Sequence, residues 1–213
     1  MTIGIVAFKI FFMKIILASK SPRRIELLKS AGFDFEVISS DYKEMFEKHL
    51  KPEELVMKHA EGKVMKIMKN GDSRFEIRDS NFMKNDDIAI IGVDTIGFCE
   101  GRVLEKPRDR EQAREMISLL SGTTHQVYSG ICVIFLKVGK ILKKVIEYEK
   151  TDITFGKMTK ADIDWYLDQN EWQDKAAGYA IQGKGALFVK KIDGDFFNVV
   201  GLPIYRLRQI LAL

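Results

Sequence analysis

The stretch from residue 15 to residue 28 constrains the fold more than any other part of the chain. It opens with the apolar run I-I-L-A, which is typical of a buried strand, and this run ends abruptly in the polar segment S-K-S-P-R-R. Beyond that segment, apolar residues return at helical spacing. Ser21 suits the N-cap of this helix, and Pro22 suits its first turn, where the missing N–H costs nothing. The sequence therefore predicts a buried strand that leads directly into a helix.

Two arginines, Arg23 and Arg24, fall in the first turn of this predicted helix. A helix N-terminus carries unpaired N–H groups and a partial positive charge, so cations are more favourable at the opposite end. A bound anion would remove the conflict, because N–H groups, hydroxyls and guanidinium groups all bind phosphate oxygens. Two interpretations stay open at this point: a phosphate-binding turn, or a solvated loop whose arginines contact nothing.

Length and composition favour one globular domain. A chain of 213 residues can bury a sizeable single core, and 46% hydrophobic with 30% charged residues is typical of a soluble protein. We predict one domain over 13–213, preceded by an N-terminal extension over 1–12 that has no chemical role and is too short to span a bilayer. The net charge of +4 fits an anionic ligand but is too diffuse to indicate nucleic acid, so we expect neither a stable nucleic-acid partner nor a membrane.

Strands and helices are mixed along the rest of the chain. Apolar runs and apolar alternation predict strands at 33–38, 88–93, 96–99, 103–104 and 125–136, one or two more strands over 140–155, and a strand–turn–strand unit in the last third. Helices are predicted from 52, 110, 159 and 203. This order indicates an α/β class without strict βαβ alternation. His59, on the helix that begins at Pro52, is expected to be solvated or half-buried. Cys99 and Cys132 form no CxxC pair and are expected to be reduced core thiols.

Asp94 follows the apolar run 88–93 and is the sharpest candidate for chemistry. A carboxylate at the end of a strand can orient a divalent metal or a water molecule, and phosphoryl transfer needs one or the other. The same residue in this place can equally be an Asx turn or a helix cap. The residue alone does not decide between these interpretations.

Three further polar positions fall where apolar segments end. Glu44 is a second carboxylate, in the loop after residue 38, and Lys106 stands in a rigid Lys-Pro turn that suits a phosphate oxygen. Gln182 lies in a segment of small residues and offers one donor and one acceptor to a base edge. The alternatives are, in turn, a solvated acid, an exposed lysine and a tight structural turn.

Taken together and in order, the polar clusters form a recognisable series. The motifs are L-A-S (17–19), S-P-R-R (21–24), E-L-L (26–28), D-T (94–95), E-K-P (105–107), L-S-G (120–122), H-Q-V (125–127), D-K-A (174–176), I-Q-G (181–183) and N-V-V-G-L-P (198–203). With these motifs, the chain from Lys14 onward resembles the Maf family of nucleoside triphosphate pyrophosphatases. The resemblance implies a Maf/inosine-triphosphatase-like fold: a central twisted mixed sheet flanked by helices, with two lobes around a cleft.

The resemblance also implies a reaction and a set of residue roles. The reaction is hydrolysis of a nucleoside triphosphate between the α and β phosphates with a divalent cation, Mg²⁺ or Mn²⁺, by a cytoplasmic homodimer. Asp94 matches the proton acceptor for the attacking water, Glu44 and Lys106 complete the catalytic set, and Glu44 and Asp94 would hold the metal. The positions that match substrate-binding residues are Ser19, Arg23, Arg24, Lys63, Thr95 and Gln182.

Within the family, Arg23, Thr95 and Gln182 match the dTTP/UTP pyrophosphatase branch. A glutamine amide can satisfy the O4 or N3–H edge of uracil or thymine, whereas a carboxylate suits a guanine donor edge. Normal or modified pyrimidine nucleotides are therefore the expected substrates. The competing hypothesis is a nucleotide-binding regulator of septum formation that senses a nucleotide without turnover.

The chain departs from the family pattern in two places. The spacing from Lys63 to Asp94 is longer than usual, so an insert over 70–87 is expected to affect a lid or a dimer contact. Ala177 stands where the family commonly has glycine, and its methyl group is expected to be tolerated unless this residue needs a positive φ.

Overall fold

The helices and strands of this chain build a mixed α/β fold. The computed structural model describes residues 13–47, 49–70 and 87–212. In chain order, the elements are β1 (Met13–Leu17), α1 (Pro22–Ser30), β2 (Phe35–Val37), α2 (Pro52–Asn70), β3 (Asp87–Cys99), β4 (Arg102–Leu104), α3 (Arg110–Leu120), β5 (Thr124–Lys137), β6 (Lys140–Phe155), α4 (Lys160–Asp168), β7 (Val189–Asp193), α5 (Phe196–Val200) and α6 (Ile204–Leu211), with short 3₁₀ helices at Ala176–Gly178 and Lys184–Phe188.

One central mixed sheet connects these elements. Its strand order is β2-β1-β3-β5-β6-β7, and β4 pairs with β3 off this path. Strand β1 runs parallel to both β2 and β3, whereas β4 is antiparallel to β3 and β7 is antiparallel to β6. Strand β1 pairs with a strand on each side, and its run Ile15–Leu17 is fully buried, as is typical of parallel strands that are covered on both faces. The predicted α/β class and central mixed sheet are confirmed.

Two of the predicted strand boundaries are wrong. Strand β3 runs without a break from Asp87 to Cys99, so the strands predicted at 88–93 and 96–99 are one, and Asp94 lies inside the strand rather than at its end. The polar pair Asp94-Thr95 resembles a break in the sequence, but it continues the strand because both side chains have partners there. In the last third, the predicted strand–turn–strand unit is instead two 3₁₀ helices followed by β7 alone.

The chain divides into two compact units, which we name unit 1 and unit 2. Unit 1 comprises Met1–Asp94, Gly130–Tyr148 and Ile204–Leu213, and unit 2 comprises Thr95–Ser129 and Glu149–Pro203. The N-terminal extension over 1–12 and almost all of the insert over 70–87 lie outside the described residues. Within the described ranges, no helix is long and apolar enough to cross a membrane. A single domain over 13–213 stays a prediction.

Each unit has its own core. In unit 1, apolar side chains of β1, β3, α2 and β5 pack together, among them Ile16, Val64, Ile90 and Ile134. In unit 2, Phe155 and Tyr179 pack edge to face, with ring centroids 4.9 Å apart. Cys99 and Cys132 are both buried and free, as the sequence predicts.

Helix α2 lies directly on the sheet of unit 1 because two strand positions are glycine. A Cβ atom at Gly92 of β3 would overlap the carbonyl oxygen of Ala60, and one at Gly130 of β5 would overlap the backbone of Val56. The backbone of α2 therefore approaches closer than any side chain in those positions would allow. This close approach brings the next turn of α2 beside the middle of β3.

We predict that Gly92→Ala and Gly130→Ala each destabilise the protein. Each added methyl group would meet backbone atoms of α2, and overpacking of this kind typically costs about 1–3 kcal/mol. Gly156→Ala is the matched control, because its Cβ would meet only the Phe188 carbonyl oxygen, at 3.8 Å. The free energy of unfolding from urea denaturation decides the matter. Equal stability of all three variants would contradict this account of helix packing.

Candidate functional site

The candidate site of unit 1 is built around the carboxylate of Asp94. This side chain leaves the middle of β3, and the residue is only 4% exposed. Oxygen Oδ1 lies 2.7 Å from Lys63 Nζ, and Oδ2 lies 3.2 Å from His59 Nδ1. His59 and Lys63 are four residues apart on α2, so they lie on the same face of the helix, one turn apart. One helix face thus contacts both oxygens of one buried carboxylate.

The ammonium group of Lys63 contacts three oxygens. Besides Asp94 Oδ1, it donates to the Val93 carbonyl at 3.0 Å, and it forms an ion pair with Glu44 Oε1 at 2.7 Å. An ammonium group has three hydrogens, so these contacts can use all of them. The side chain of Glu44 is 44% exposed, whereas that of Asp94 is buried. Lys63 therefore joins one buried carboxylate to one that solvent can reach.

The turn between β1 and α1 adds a second cation to the cluster. Arg24 Nη1 donates to the Val93 carbonyl at 3.0 Å and to Ser19 Oγ at 3.2 Å. Helix α1 begins at Pro22 with Ser21 at the N-cap position, as predicted, but the Ser21 hydroxyl makes no capping hydrogen bond. Instead, the Ser21 amide donates to Ser19 Oγ at 3.3 Å. The predicted residues Ser19 and Arg24 thus meet Lys63 around residues 93 and 94.

The charges of these neighbours set the protonation of the cluster. Burial alone would raise the pKa of Asp94, but the hydrogen bond from His59 and the charge of Lys63 outweigh burial and hold that pKa well below its ordinary value. Burial would lower the pKa of His59, but its hydrogen bond to Asp94 raises that pKa above the ordinary value. Burial lowers the pKa of Arg24, an effect that the charge of Asp94 opposes. Asp94 is therefore a carboxylate at neutral pH.

His59 is the residue of this cluster that the sequence interpretation missed. The prediction that His59 is solvated or half-buried is wrong, since the residue is 2% exposed and bonded to Asp94. The signal was present in the helix pattern. His59 and Lys63 both fall on the stripe of α2 that otherwise holds buried Val56, Ala60 and Val64. Two polar residues one turn apart on an apolar face indicate buried partners.

The remaining predicted site residues have other surroundings. Arg23 is half-buried on the first turn of α1. In unit 2, Thr95 Oγ1 lies 2.9 Å from Ser129 Oγ, Lys106 is exposed with Nζ 4.0 Å from Asp174 Oδ1, and Gln182 is exposed in the turn before the second 3₁₀ helix. The roles expected for these four residues stay predictions.

Ala177 has the positive φ that would make an alanine unfavourable at this position. Its backbone has φ 59° and ψ 10°, in the left-handed region, although the residue is alanine and fully buried. Such a conformation costs a non-glycine residue roughly 1–2 kcal/mol. Gly97 of β3 makes room for its methyl group, because a Cβ there would come within 2.7 Å of Ala177 Cβ. The methyl group is accommodated, but the backbone is strained.

The donors predicted to hold a divalent metal do not form a cation site in this arrangement. Glu44 and Asp94 both direct a carboxylate oxygen to Lys63 Nζ, at 2.7 Å in each case, so an ammonium group lies where a shared cation would be bound. In the part of the chain that the structure describes, no group of three or more His, Cys, Asp or Glu side chains could hold a metal ion.

The fold and this cluster together define a mixed α/β protein with a buried carboxylate between cations, and comparison with known proteins gives its family. The family described as "Maf-like protein" matches residues 14–213, and the chain belongs to that family. A dTTP/UTP pyrophosphatase of Bacillus cereus (strain G9842) is 42% identical over 194 residues, which cover 91% of this chain and 92% of that protein. A dTTP/UTP pyrophosphatase of Bacillus anthracis (strain CDC 684 / NRRL 3495) is 43% identical over the same shares.

Among solved structures, the Staphylococcus aureus Ham1 protein is similar with a TM-score of 0.45 and 12% identity, covering 93% of this chain and 97% of that one. The family resemblance predicted from the sequence motifs is confirmed by the family match and by the two Bacillus relatives.

We predict that Lys63→Met raises the pKa of Asp94. The substitution removes the charge that contacts Oδ1 and leaves the carboxylate buried. The measurement is the pH dependence of the Asp94 carboxyl ¹³C signal by NMR. Lys66→Met is the matched control on the same helix, since its ammonium group lies 3.7 Å from the exposed Asp41 instead. An unchanged Asp94 titration in Lys63→Met would show that Lys63 does not set the charge of the site.

Proposed function

We propose that this chain is a nucleoside triphosphate pyrophosphatase that hydrolyses dTTP and UTP to the monophosphate and pyrophosphate. The observation that carries the proposal is the buried carboxylate of Asp94, held ionised by Lys63 and His59 beside Arg24. Two relatives with this printed activity, each 42% or more identical and aligned over 91% of the chain, support the choice of substrate. Normal and modified pyrimidine nucleotides share the ring edge that such a protein would recognise.

The cations of unit 1 bind the phosphates in this proposal. Arg24, the Ser19 hydroxyl and the first turn of α1 supply donors, and Lys63 supplies a movable point charge. Negative charge on the phosphoryl oxygens is stabilised most strongly by donors that are already in place before the reaction. Arg24 is such a donor, because its bonds to Ser19 and Val93 fix its position.

Asp94 acts as the proton acceptor. The water oxygen attacks the α phosphorus, its proton passes to the Asp94 carboxylate, and the bond from the α phosphorus to the bridging oxygen breaks, so that pyrophosphate leaves with the electron pair. A phosphate oxygen competes with Asp94 for the Lys63 ammonium group. When Lys63 turns to the phosphate, the charge that lowers the pKa of Asp94 moves away, and the carboxylate becomes a better base.

The remaining roles rest on family resemblance. We propose that Gln182 reads the base, with Arg23 and Thr95 contributing to substrate choice, and that Lys106 and Glu44 assist catalysis. Dependence on Mg²⁺ or Mn²⁺ is proposed on the same ground. Glu44 and Asp94 would be the ligands only after Lys63, which pairs with both of them, has turned to a phosphate oxygen. The same resemblance supports a homodimer and a cytoplasmic location, where nucleoside triphosphates are made.

The test of activity measures pyrophosphate released from dTTP, UTP, CTP and 7-methyl-GTP, each with Mg²⁺, with Mn²⁺ and with EDTA. We expect release from dTTP and UTP that EDTA abolishes. If none of the four substrates released pyrophosphate, the proposal that the chain is an enzyme would be contradicted. The competing hypothesis, a nucleotide-binding regulator, would then be favoured. Activity unaffected by EDTA would contradict the dependence on a divalent cation.

We predict that Asp94→Asn lowers kcat by about 10²–10⁴-fold, the usual contribution of a general base. Nucleotide binding, measured by calorimetry, should be largely retained, because the phosphate donors Ser19 and Arg24 remain. Asp41→Asn makes the same chemical change at an exposed residue of unit 1 and should leave kcat unchanged. An Asp94→Asn variant that turns over at the wild-type rate would exclude Asp94 as the base.

We predict that Gln182→Glu lowers kcat/KM for dTTP and UTP by about tenfold or more, because a carboxylate cannot donate to a carbonyl of the base and leaves it unpaired. Gln209→Glu, an exposed residue on α6, controls for the added negative charge. Competition between dTTP and 7-methyl-GTP in one reaction gives the ratio of the two kcat/KM values directly. If this ratio is the same in Gln182→Glu and wild type, the base is recognised by other residues.

A further inference from the structure

We propose that His59 is a positioning residue that fixes the orientation of the Asp94 carboxylate and ties it to the segment that carries Glu44. The inference rests on the proposed function, because it gives Asp94 the role of proton acceptor. His59 itself does not exchange protons with the substrate in this proposal. It acts through the two groups that its ring contacts.

Both nitrogens of the His59 ring contact oxygen acceptors. Nδ1 lies 3.2 Å from Asp94 Oδ2, and Nε2 lies 3.1 Å from the Met45 carbonyl oxygen. The ring is almost fully buried, and the ring of Tyr42 packs against it edge-on, with centroids 5.9 Å apart. A ring that is bonded at two separate nitrogens and packed from the side cannot rotate without losing these contacts. The imidazole is therefore a rigid link between β3 and the segment that contains Met45.

The consequence for Asp94 is a carboxylate held at both oxygens. Lys63 donates a hydrogen bond to Oδ1, and Nδ1 of His59 contacts Oδ2. If Lys63 turns to a phosphate, as the proposed function requires, His59 is the contact that keeps the carboxylate plane in place. A general base must first have the right geometry, and a misplacement of about 1 Å can cost about 10²-fold in rate. His59 thus supplies the contact that does not change while Lys63 moves.

The link also reaches Glu44, through three neighbouring contacts on α2. Met45 bonds to His59, Glu44 pairs with Lys63, and the ring of Tyr42 fills the space that a Cβ atom at Gly62 would occupy. These contacts dock one short segment along one face of the helix. His59 lies at the end of this row and, like Lys63, also contacts Asp94. The histidine therefore couples the positions of the two carboxylates.

Substitution of His59 by an amide residue makes it possible to test its two contacts one at a time. The amide nitrogen of asparagine lies where Nδ1 of histidine lies, so His59→Asn can still donate to Asp94 but not to Met45. The amide nitrogen of glutamine reaches the position of Nε2, so His59→Gln can still donate to Met45 but not to Asp94. The two variants have the same functional group and differ in which of the two bonds they keep.

The experiment measures kcat and KM for dTTP with wild type, His59→Asn, His59→Gln and the control His49→Gln, an exposed histidine of the same segment. We expect His59→Gln to lose about tenfold or more in kcat with little change in KM, because orientation of the base affects the chemical step. His59→Asn should lose less, and His49→Gln should match wild type. Melting temperatures identify any loss that comes from unfolding.

A second readout does not need turnover. The carboxyl ¹³C signal of Asp94 at fixed neutral pH should shift in His59→Gln and stay nearer the wild-type position in His59→Asn. Equal loss of kcat in the two variants together with equal carboxyl signals would overturn the positioning role. A wild-type protein that releases no pyrophosphate would overturn the proposed function, and the carboxyl signals would still decide whether His59 orients Asp94.

Discussion

The burial of one carboxylate inside a strand is the constraint on which the rest of unit 1 depends. An ionised group in the middle of β3 would be strongly destabilising without partners, because a buried charge loses its hydration. Asp94 obtains its partners from helix α2, which must therefore lie close to the strand and present His59 and Lys63 to it. The ion pair with Lys63 is direct and buried on both sides. The contacts of Asp94 with His59 and Lys63 are therefore needed both for the stability of the fold and for the proposed reaction.

The position of helix α2 consequently determines both the packing of the core and the geometry of the site. The glycine at position 92 of β3 allows the backbone of α2 to approach, and the buried stripe of α2 carries both apolar core residues and the two polar residues that contact Asp94. A small shift of the helix would affect the core and the site together. Gly62, a residue of α2 itself, gives space to Tyr42 and thereby docks the segment that bears Glu44.

The sequence alone predicts those site residues that are polar and directly follow an apolar run. Ser19 and Arg24 follow the strand β1, and the local pattern of strand, Ser-Pro and arginines is enough to place them at a helix start. The same pattern predicts Asp94 as a site residue, although the strand continues through it. His59 could not be placed in this way, because local pattern does not show which element covers a helix face. Its partner Asp94 is 35 residues away in the chain, so the contact depends on tertiary packing.

The central claim is that the cations around Asp94 bind the triphosphate and leave the carboxylate facing the water that attacks it. A crystal structure with a dTTP analogue whose α–β bridging oxygen is replaced by an imido group tests this directly. We expect phosphate oxygens within hydrogen-bond distance of Arg24 and Lys63, with a water molecule between Asp94 and the α phosphorus. Phosphates bound away from these cations, or an Asp94 carboxylate that faces no water at the α phosphorus, would contradict it.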